Sequence, residues 1–262
     1  MQIDEAFYRG IRHYGTHASY ERLIRGKVDL IYECRLPSAD ERELMKQEGV
    51  ELDFTPIALD AFVFLRHRDN PVTNLSAEQV RDIYTRGFLN RAKTRNWKDV
   101  GGPDHKINAY VRNRNSGSQE TMKNLVMQKR EMVSGRSMTG VSMMGPYNLL
   151  KDDEYGVGFT FYYYQRYMAP WGRPVTVEKP EKQSAKKIAD APVQMLAIDG
   201  VHPTRRTIAE DTYPWVTRVY VVTRMDLDGK DPAARLRDWL VSSEGQMVVG
   251  ETGYVPIEPT RN

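Results

Sequence analysis

The sequence predicts an α/β protein whose sheets are mixed but mostly parallel and are flanked by helices. Segments rich in branched and aromatic residues alternate along the chain with segments of helical periodicity, a pattern typical of strands joined by helices. The chain has 262 residues, of which 40% are hydrophobic and 28% are charged. This ordinary globular composition argues against a disordered chain and against a membrane-spanning one.

The elements follow from short apolar runs and from helix start signals. Ser38 with Glu41, and Ser76 with Gln79, have the spacing of capping boxes and mark two helix starts. Predicted strands span 27–32, 50–55, 58–67, 107–111, 157–161, 193–198 and 215–223, and predicted helices span 38–48, 76–84, 118–127 and 231–241. The Pro- and Lys-rich stretch 173–187 is predicted to be a surface loop.

Charge and motif content exclude several classes of function. The 38 Lys and Arg residues nearly balance 35 Asp and Glu residues, which gives no indication of a nucleic-acid partner. Cys34 is the only cysteine, and the five histidines lie far apart without metal-ligand spacing. The common hydrolase, nucleotide-binding and zinc-protease motifs are absent. We therefore predict no cofactor, no metal and no catalytic residue.

Two helix starts have the residue types that hold an anion. Arg112, Ser116, Gly117 and Ser118 follow a predicted strand and open a predicted helix. Free N–H groups at a helix start, two hydroxyls and a forked guanidinium suit a phosphate-like group. The alternative interpretation is an ordinary capped helix after a polar turn, and the sequence leaves both open.

The second helix start is formed by Gly15 and Thr16, and here too simple capping is the alternative. The two starts lie about a hundred residues apart in the chain. If they faced each other across a cleft, they would surround a small anion with donors from both sides. Such a site needs no nucleophile, general base or metal.

The sequence resembles the phosphate-binding, PstS-like branch of the type 2 periplasmic solute-binding proteins. The matching stretches are 15–24, 28–31, 69–76, 80–84, 96–102, 112–121, 212–215, 243–246 and 252–256. The resemblance implies a two-lobed fold with the ligand cleft between the lobes and a hinge motion that closes it. It assigns residues 1–66 and 212–262 to the first lobe and residues 67–211 to the second.

The resemblance also implies which residues bind the ligand. The family's Arg-x-x-x-Ser-Gly-Thr motif falls on Arg112, Ser116, Gly117 and Ser118, where serine replaces threonine and keeps the hydroxyl. The family's first-lobe hydroxyl donor falls on Thr16, which follows Gly15.

Two features depart from the family pattern. Phosphate binders of the family often carry an acidic residue after the strand that matches 28–32, and it accepts the proton of hydrogen phosphate. Glu33 fits that role only if the register slips by one residue, and otherwise it is a partly exposed carboxylate at a strand end. Arg35 either adds charge to the cleft or lies on the surface. The family's first strand and helix, which carry ligand donors, have no counterpart here, so either the sequence is truncated or one wall of the site has been lost.

We therefore expect a solute-binding protein that captures inorganic phosphate or a similar oxyanion for an ABC transporter permease. The family implies a monomer in the periplasm, or one anchored outside the membrane. Residues 1–7 do not form a signal peptide, so export is implied by the family alone. The alternative is a ligand-free interaction, sensory or surface protein that reuses the fold, and a phosphatase is a more remote one.

Overall fold

The computed structural model describes residues 11–12, 14–85, 94–113, 116–128, 130–132, 136–137, 145–168 and 190–257. The predicted loop at 173–187 lies outside these residues, as do Arg114 and Asn115, which lie between Arg112 and Ser116. The described residues form a mixed α/β fold with a central sheet flanked by helices, and this part of the predicted fold class is confirmed.

The elements have the following bounds. The helices are α1 (Thr16–Ile24), α2 (Ala39–Glu48), α3 (Ala77–Tyr84), α4 (Gly117–Thr121), α5 (Gly145–Leu150), α6 (Arg205–Ala209), α7 (Pro232–Leu240) and α8 (Ser243–Thr252), with a 3-10 turn at Trp97–Val100 and π-helical turns at Met122–Met127 and Tyr164–Met168. The strands are β1 (Leu30–Glu33), β2 (Leu52–His67), β3 (Asn74–Leu75), β4 (Asn108–Val111), β5 (Arg136–Ser137), β6 (Gly156–Phe161), β7 (Val193–Met195), β8 (Ala197–Ile198), β9 (Val216–Arg224) and β10 (Val255–Pro256). Both predicted capping boxes are present, at the starts of α2 and α3.

The long strand β2 joins two halves of the sheet. From Leu52 to Ala61 it pairs antiparallel with β9, which in turn pairs with β1. From Phe62 onward it pairs antiparallel with β6, and β6 continues in parallel to β4 and β5. The partners of β2 therefore change between Ala61 and Phe62, where the Phe62 N–H donates to Trp215 O at 2.9 Å.

Two expectations about the bounds of the strands are corrected. The strands predicted at 50–55 and 58–67 are one strand, because a register shift between Pro56 and Ala58 takes up the proline, which has no N–H to donate. The strand predicted at 193–198 divides at Leu196, whose N–H donates to Phe64 O while the next residue turns to β3.

The strands are also not mostly parallel: among the described residues, five strand pairs are antiparallel and three are parallel. Alternation of helices and strands in a sequence does not fix strand direction. Here β7, β9 and β10 return from later in the chain and run against β2.

Apolar packing fixes the two elements that carry the predicted site. Tyr20, Leu23 and Ile24 of α1 are fully buried against Ile31 of β1 and its neighbours, and each such side chain contributes roughly 1.5–3 kcal/mol by leaving water. Around β4 and α4 a larger core surrounds Phe62, Phe64 and Phe159, whose rings lie 5.3–6.2 Å apart. Within the described ranges, no helix is both long and apolar enough to cross a bilayer.

Candidate anion-binding site

The start of α4 is a capped turn with two hydroxyls. Ser116 is the N-cap, and its Oγ accepts the N–H of Gln119 at 3.1 Å. The Oγ of Ser118 lies 3.4 Å from the Oγ of Ser116, and Ser118 is fully buried. The N–H groups of the first turn and both hydroxyls therefore lie together at one end of the helix, where partial positive charge favours an anion.

Arg112 follows β4 and leads into this turn. The residue is 5% exposed, and burial lowers the pKa of its guanidinium below the usual value. Its backbone N–H donates to Oε1 of Gln119 at 2.9 Å. The buried side chain of Gln119 therefore joins the end of β4 to the first turn of α4. A buried guanidinium is most stable when an anion accepts its N–H groups.

The start of α1 meets the start of α4. Gly15 is the N-cap of α1, with no side-chain acceptor for the N–H groups of the first turn. Thr16 is half-buried and touches Gly117: a Cβ at position 117 would lie 2.6 Å from Thr16 Oγ1. The structure thus brings Thr16, Ser116, Gly117 and Ser118 to one place, next to Arg112.

Glu33 lies at the same place. It is the last residue of β1 and is 8% exposed. Burial raises its pKa to about 7, although hydrogen bonds from the Thr16 and Ser19 hydroxyls and the charge of Arg35 act in the opposite direction. The expectation of a partly exposed carboxylate is therefore wrong. The strand extends to Glu33, which is buried on the same face as Ile31.

Arg35 does not lie on the surface, which was one of its two predicted placements. Its two terminal nitrogens donate to the two oxygens of Glu41, each at 2.7 Å, and its side chain is 11% exposed. Glu41 is fully buried and also accepts the N–H of Ser38 and a hydrogen bond from His17. Burial alone raises the pKa of Glu41, but Arg35 and Ser38 bring it below its usual value. Arg35 therefore pairs with Glu41, and its charge also opposes the rise in the pKa of Glu33.

One further buried carboxyl was missed by sequence reasoning. Asp60 in β2 is 1% exposed, and its Oδ1 accepts the N–H groups of Ala61 at 2.8 Å and Tyr163 at 3.1 Å. Burial raises its pKa to about 7. The sequence does contain a signal of this burial, because Asp60 is the one charged residue in the apolar run 57–65. The ring of Tyr163, whose N–H Asp60 accepts, stacks on the ring of Tyr254 with 3.9 Å between the ring centres.

The donors at this site are hydroxyls, N–H groups and a guanidinium, all of which suit an oxyanion rather than a cation. In the part of the chain that the structure describes, no three His, Cys, Asp or Glu side chains gather as a potential metal site.

The chain is similar to known proteins over most of its length. A family model described as a PBP superfamily domain matches residues 11–244. The phosphate-binding protein PstS of Borreliella burgdorferi is 26% identical over 243 residues, which cover 90% of this chain and 76% of that protein. PstS of Staphylococcus epidermidis is 23% identical, with 92% of this chain and 67% of that protein covered.

Two solved structures have the same fold. One is a putative phosphate ABC transporter substrate-binding protein with bound phosphate from Clostridium perfringens, with a TM-score of 0.69, 21% identity, and coverage of 93% of this chain and 85% of that one. The other is an ABC-type phosphate transport receptor from Vibrio cholerae, with a TM-score of 0.64, 22% identity, and coverage of 93% and 86%.

Proposed function

The chain belongs to the PBP superfamily, and we propose that it is a solute-binding protein that captures inorganic phosphate, or a similar oxyanion, for an ABC importer. The predicted resemblance to the PstS-like branch of the type 2 proteins is confirmed by the family match and by the relatives. The ligand and the importer are inferred for this chain from the names of those relatives together with the site.

The observation that carries the proposal is the contact between the starts of α1 and α4. Each start offers backbone N–H groups and a hydroxyl, and Thr16 and Gly117 touch where the two meet. An anion placed there receives hydrogen bonds from two separate parts of the chain, which is how a small ligand with no apolar surface is held firmly.

Each residue of the site has a distinct role in the proposal. Arg112 supplies the buried positive charge and a fork of two N–H donors. Thr16, Ser116 and Ser118 supply hydroxyls, and Gly117 lets the backbone come close to the ligand. Gly15 contributes only the extended backbone that starts α1, since it is exposed and nothing lies within 4 Å of a Cβ at that position.

We place the ligand between two lobes formed by residues 1–66 with 212–262 and by residues 67–211. The change of partners along β2 at Ala61 and Phe62 supports a crossing close to the first of these boundaries. α1 belongs to the first lobe and α4 to the second, so a hinge motion at the crossing would open and close the site.

We further propose that the protein acts as a monomer outside the cytoplasmic membrane and delivers its ligand to an importer permease. The two solved structures are named for phosphate transport, which supports the importer partner. The alternative of a ligand-free surface or sensory protein is not supported by the relatives reported above, each of which is named for phosphate binding or phosphate transport.

Calorimetric titration of phosphate into phosphate-stripped protein tests the proposal, with sulfate as the comparison anion. We expect saturable binding of one phosphate per chain. A folded sample that takes up neither anion would contradict the proposal. Saturable binding of sulfate alone would support an anion site at this place but show that its ligand is not phosphate.

A further inference from the structure

The first turn of α1 has no side-chain cap of its own. Its N-cap is Gly15, which offers no side-chain oxygen to the free N–H groups of that turn, whereas at the start of α4 the hydroxyl of Ser116 accepts the N–H of Gln119. Helix ends fray where their N–H groups are left free. Thr16 is the first residue of α1 and meets Gly117 at this end, so another contact is needed to hold it in place.

The side chain of His17 makes such a contact. His17 follows Thr16 in the first turn of α1, and its Nδ1 lies 3.1 Å from Oε1 of Glu41 in α2. Because the Glu41 carboxylate is paired with Arg35 and only accepts hydrogen bonds, Nδ1 of His17 is the donor. This bond joins the first turn of α1 to a residue 24 positions further along the chain.

Glu41 is held firmly enough to serve as an anchor. It is fully buried, and its two oxygens accept hydrogen bonds from both terminal nitrogens of Arg35, at 2.7 Å each, and from the N–H of Ser38 at 2.8 Å. The hydroxyl of Tyr20 in α1 donates to the carbonyl oxygen of Arg35 at 2.7 Å. Any rotation of the carboxylate would break several charge-assisted hydrogen bonds at once.

We infer that His17 is a positioning residue for the anion site, because it ties the first turn of α1, and with it Thr16, to the buried carboxylate of Glu41. The inference rests on the proposed function and adds two residues to it, neither of which is assigned a contact with the ligand.

The surroundings of His17 favour this indirect role over direct contact with the anion. Its Nδ1 lies 3.1 Å from Glu41 and 3.7 Å from Oδ2 of Asp40, and its Nε2 lies 4.0 Å from Oε1 of Glu21. Both ring nitrogens therefore face carboxylates, whose negative charge repels an oxyanion.

The test uses substitutions of His17, which is half-buried. Glu41→Gln would leave the buried guanidinium of Arg35 without its carboxylate and endanger the fold. His17→Asn keeps an N–H donor at about the position of Nδ1, whereas His17→Leu fills a similar volume without a donor. Phosphate affinity is measured by calorimetry, and the free energy of unfolding of each protein is measured in urea.

We expect His17→Leu to bind phosphate about five- to tenfold more weakly than wild type, which is typical of coupling within one hydrogen-bond network. His17→Asn should stay within about twofold of wild type, because the donor to Glu41 is kept.

Two control variants separate this effect from its alternatives. Glu21→Gln removes the longer contact at Nε2 and keeps the bond to Glu41, so it should not weaken phosphate binding. Val249→Ala removes apolar volume from a buried cluster formed by β2, β9, α7 and α8. It should lower the free energy of unfolding and leave the phosphate affinity unchanged.

A double-mutant cycle shows whether His17 acts through Thr16. Thr16→Val removes the hydroxyl that His17 is inferred to position, so adding His17→Leu to it should lower phosphate affinity by no more than about a further twofold. A purely structural role of His17 would lower the free energy of unfolding in both backgrounds without this difference in affinity.

Unchanged phosphate binding by folded His17→Leu would overturn the inference and leave the proposed function standing. Equal losses in His17→Leu and His17→Asn, or the full loss again in the Thr16→Val background, would do the same. A folded wild-type protein that does not bind phosphate would overturn both.

Discussion

Thr16 Oγ1 fills the space in which a side chain at Gly117 would stand. A Cβ there would be 2.6 Å from that oxygen and 3.5 Å from the Cβ of Thr16. The starts of α1 and α4 can therefore touch only because residue 117 has no side chain. This contact joins two parts of the chain that are about a hundred residues apart in sequence.

Gly117→Ala should separate the two helix starts. The added methyl forces Thr16 Oγ1 to give way, by rotation of that side chain or by movement of α1 or α4, so the donors no longer converge on one anion. We expect phosphate affinity to fall at least about tenfold, or ~1.4 kcal/mol, as measured by calorimetry.

Gly15→Ala is the matched control for that variant. Gly15 is the glycine at the start of α1, its φ of −69° suits alanine, and nothing lies within 4 Å of the new Cβ. It should bind phosphate as wild type does. Equal losses in the two variants would mean that the contact at Gly117 does not organise the site.

Arg112→Ala should remove most of the affinity for the anion. Loss of one partner of a buried, charged hydrogen-bonded pair costs about 2–5 kcal/mol, which corresponds to at least about 30-fold in Kd. Arg112→Lys keeps the charge but loses the forked pair of donors, so its phosphate affinity should lie between those of wild type and Arg112→Ala. Arg130→Ala is the control, because Arg130 lies on the surface and pairs with Glu78. Unchanged binding by folded Arg112→Ala would remove this residue from the site.

The sequence predicted the elements of the fold better than their directions. Capping boxes at Ser38 and Ser76 are local signals, and both helices begin where those signals predict. The long strand β2 was divided at Pro56, because a proline interrupts a strand pattern while the bulge that accommodates it depends on the partner strand. Strand direction depends on contacts between distant segments, which periodicity does not record.

The site was predictable where its chemistry is local and not where it depends on packing. Ser116, Gly117 and Ser118 are recognisable as a run, and their helix start is where the sequence places it. The pairing of Arg35 with Glu41, and the burial of Glu33 and Asp60, arise only when α1, α2 and β2 pack together. A charged residue in the sequence carries no sign of whether it faces water.

Gln119 should act as a positioning residue for Arg112. Its Oε1 accepts the Arg112 backbone N–H at 2.9 Å, and the residue is 7% exposed. Gln119→Met keeps the length and removes the acceptor, which leaves that buried N–H without this partner at a cost of about 1–3 kcal/mol. We expect weaker phosphate binding together with a lower free energy of unfolding in urea.

Asn124→Ala is the control for Gln119→Met, since Asn124 lies on the exposed side of the same helical segment and donates to Glu120. Asn124→Ala should change neither the phosphate affinity nor the free energy of unfolding. If Gln119→Met lowered stability and left the phosphate affinity unchanged, its role would be structural only.

Asp60→Asn should stabilise the protein at high pH. In the unfolded chain an aspartate ionises near pH 3.8, whereas in the fold burial raises the pKa of Asp60 to about 7. The folded state therefore holds the proton longer, and the stability contributed by this group is lost as the pH rises from about 4 to about 7. Asparagine carries no such charge and keeps an oxygen to accept the N–H groups of Ala61 and Tyr163.

Urea unfolding of wild type and Asp60→Asn at pH 4.5, 6 and 8 measures this effect. The variant should be close to wild type at pH 4.5 and more stable by about 3 kcal/mol at pH 8. Asp226→Asn provides a control of opposite sign, because the hydrogen bond from Arg224 lowers the pKa of exposed Asp226, and its loss should bring no gain at pH 8. A destabilised Asp60→Asn at pH 8 would mean that the charge of Asp60 is matched within the fold, and that the crossing between the two halves of the sheet depends on it.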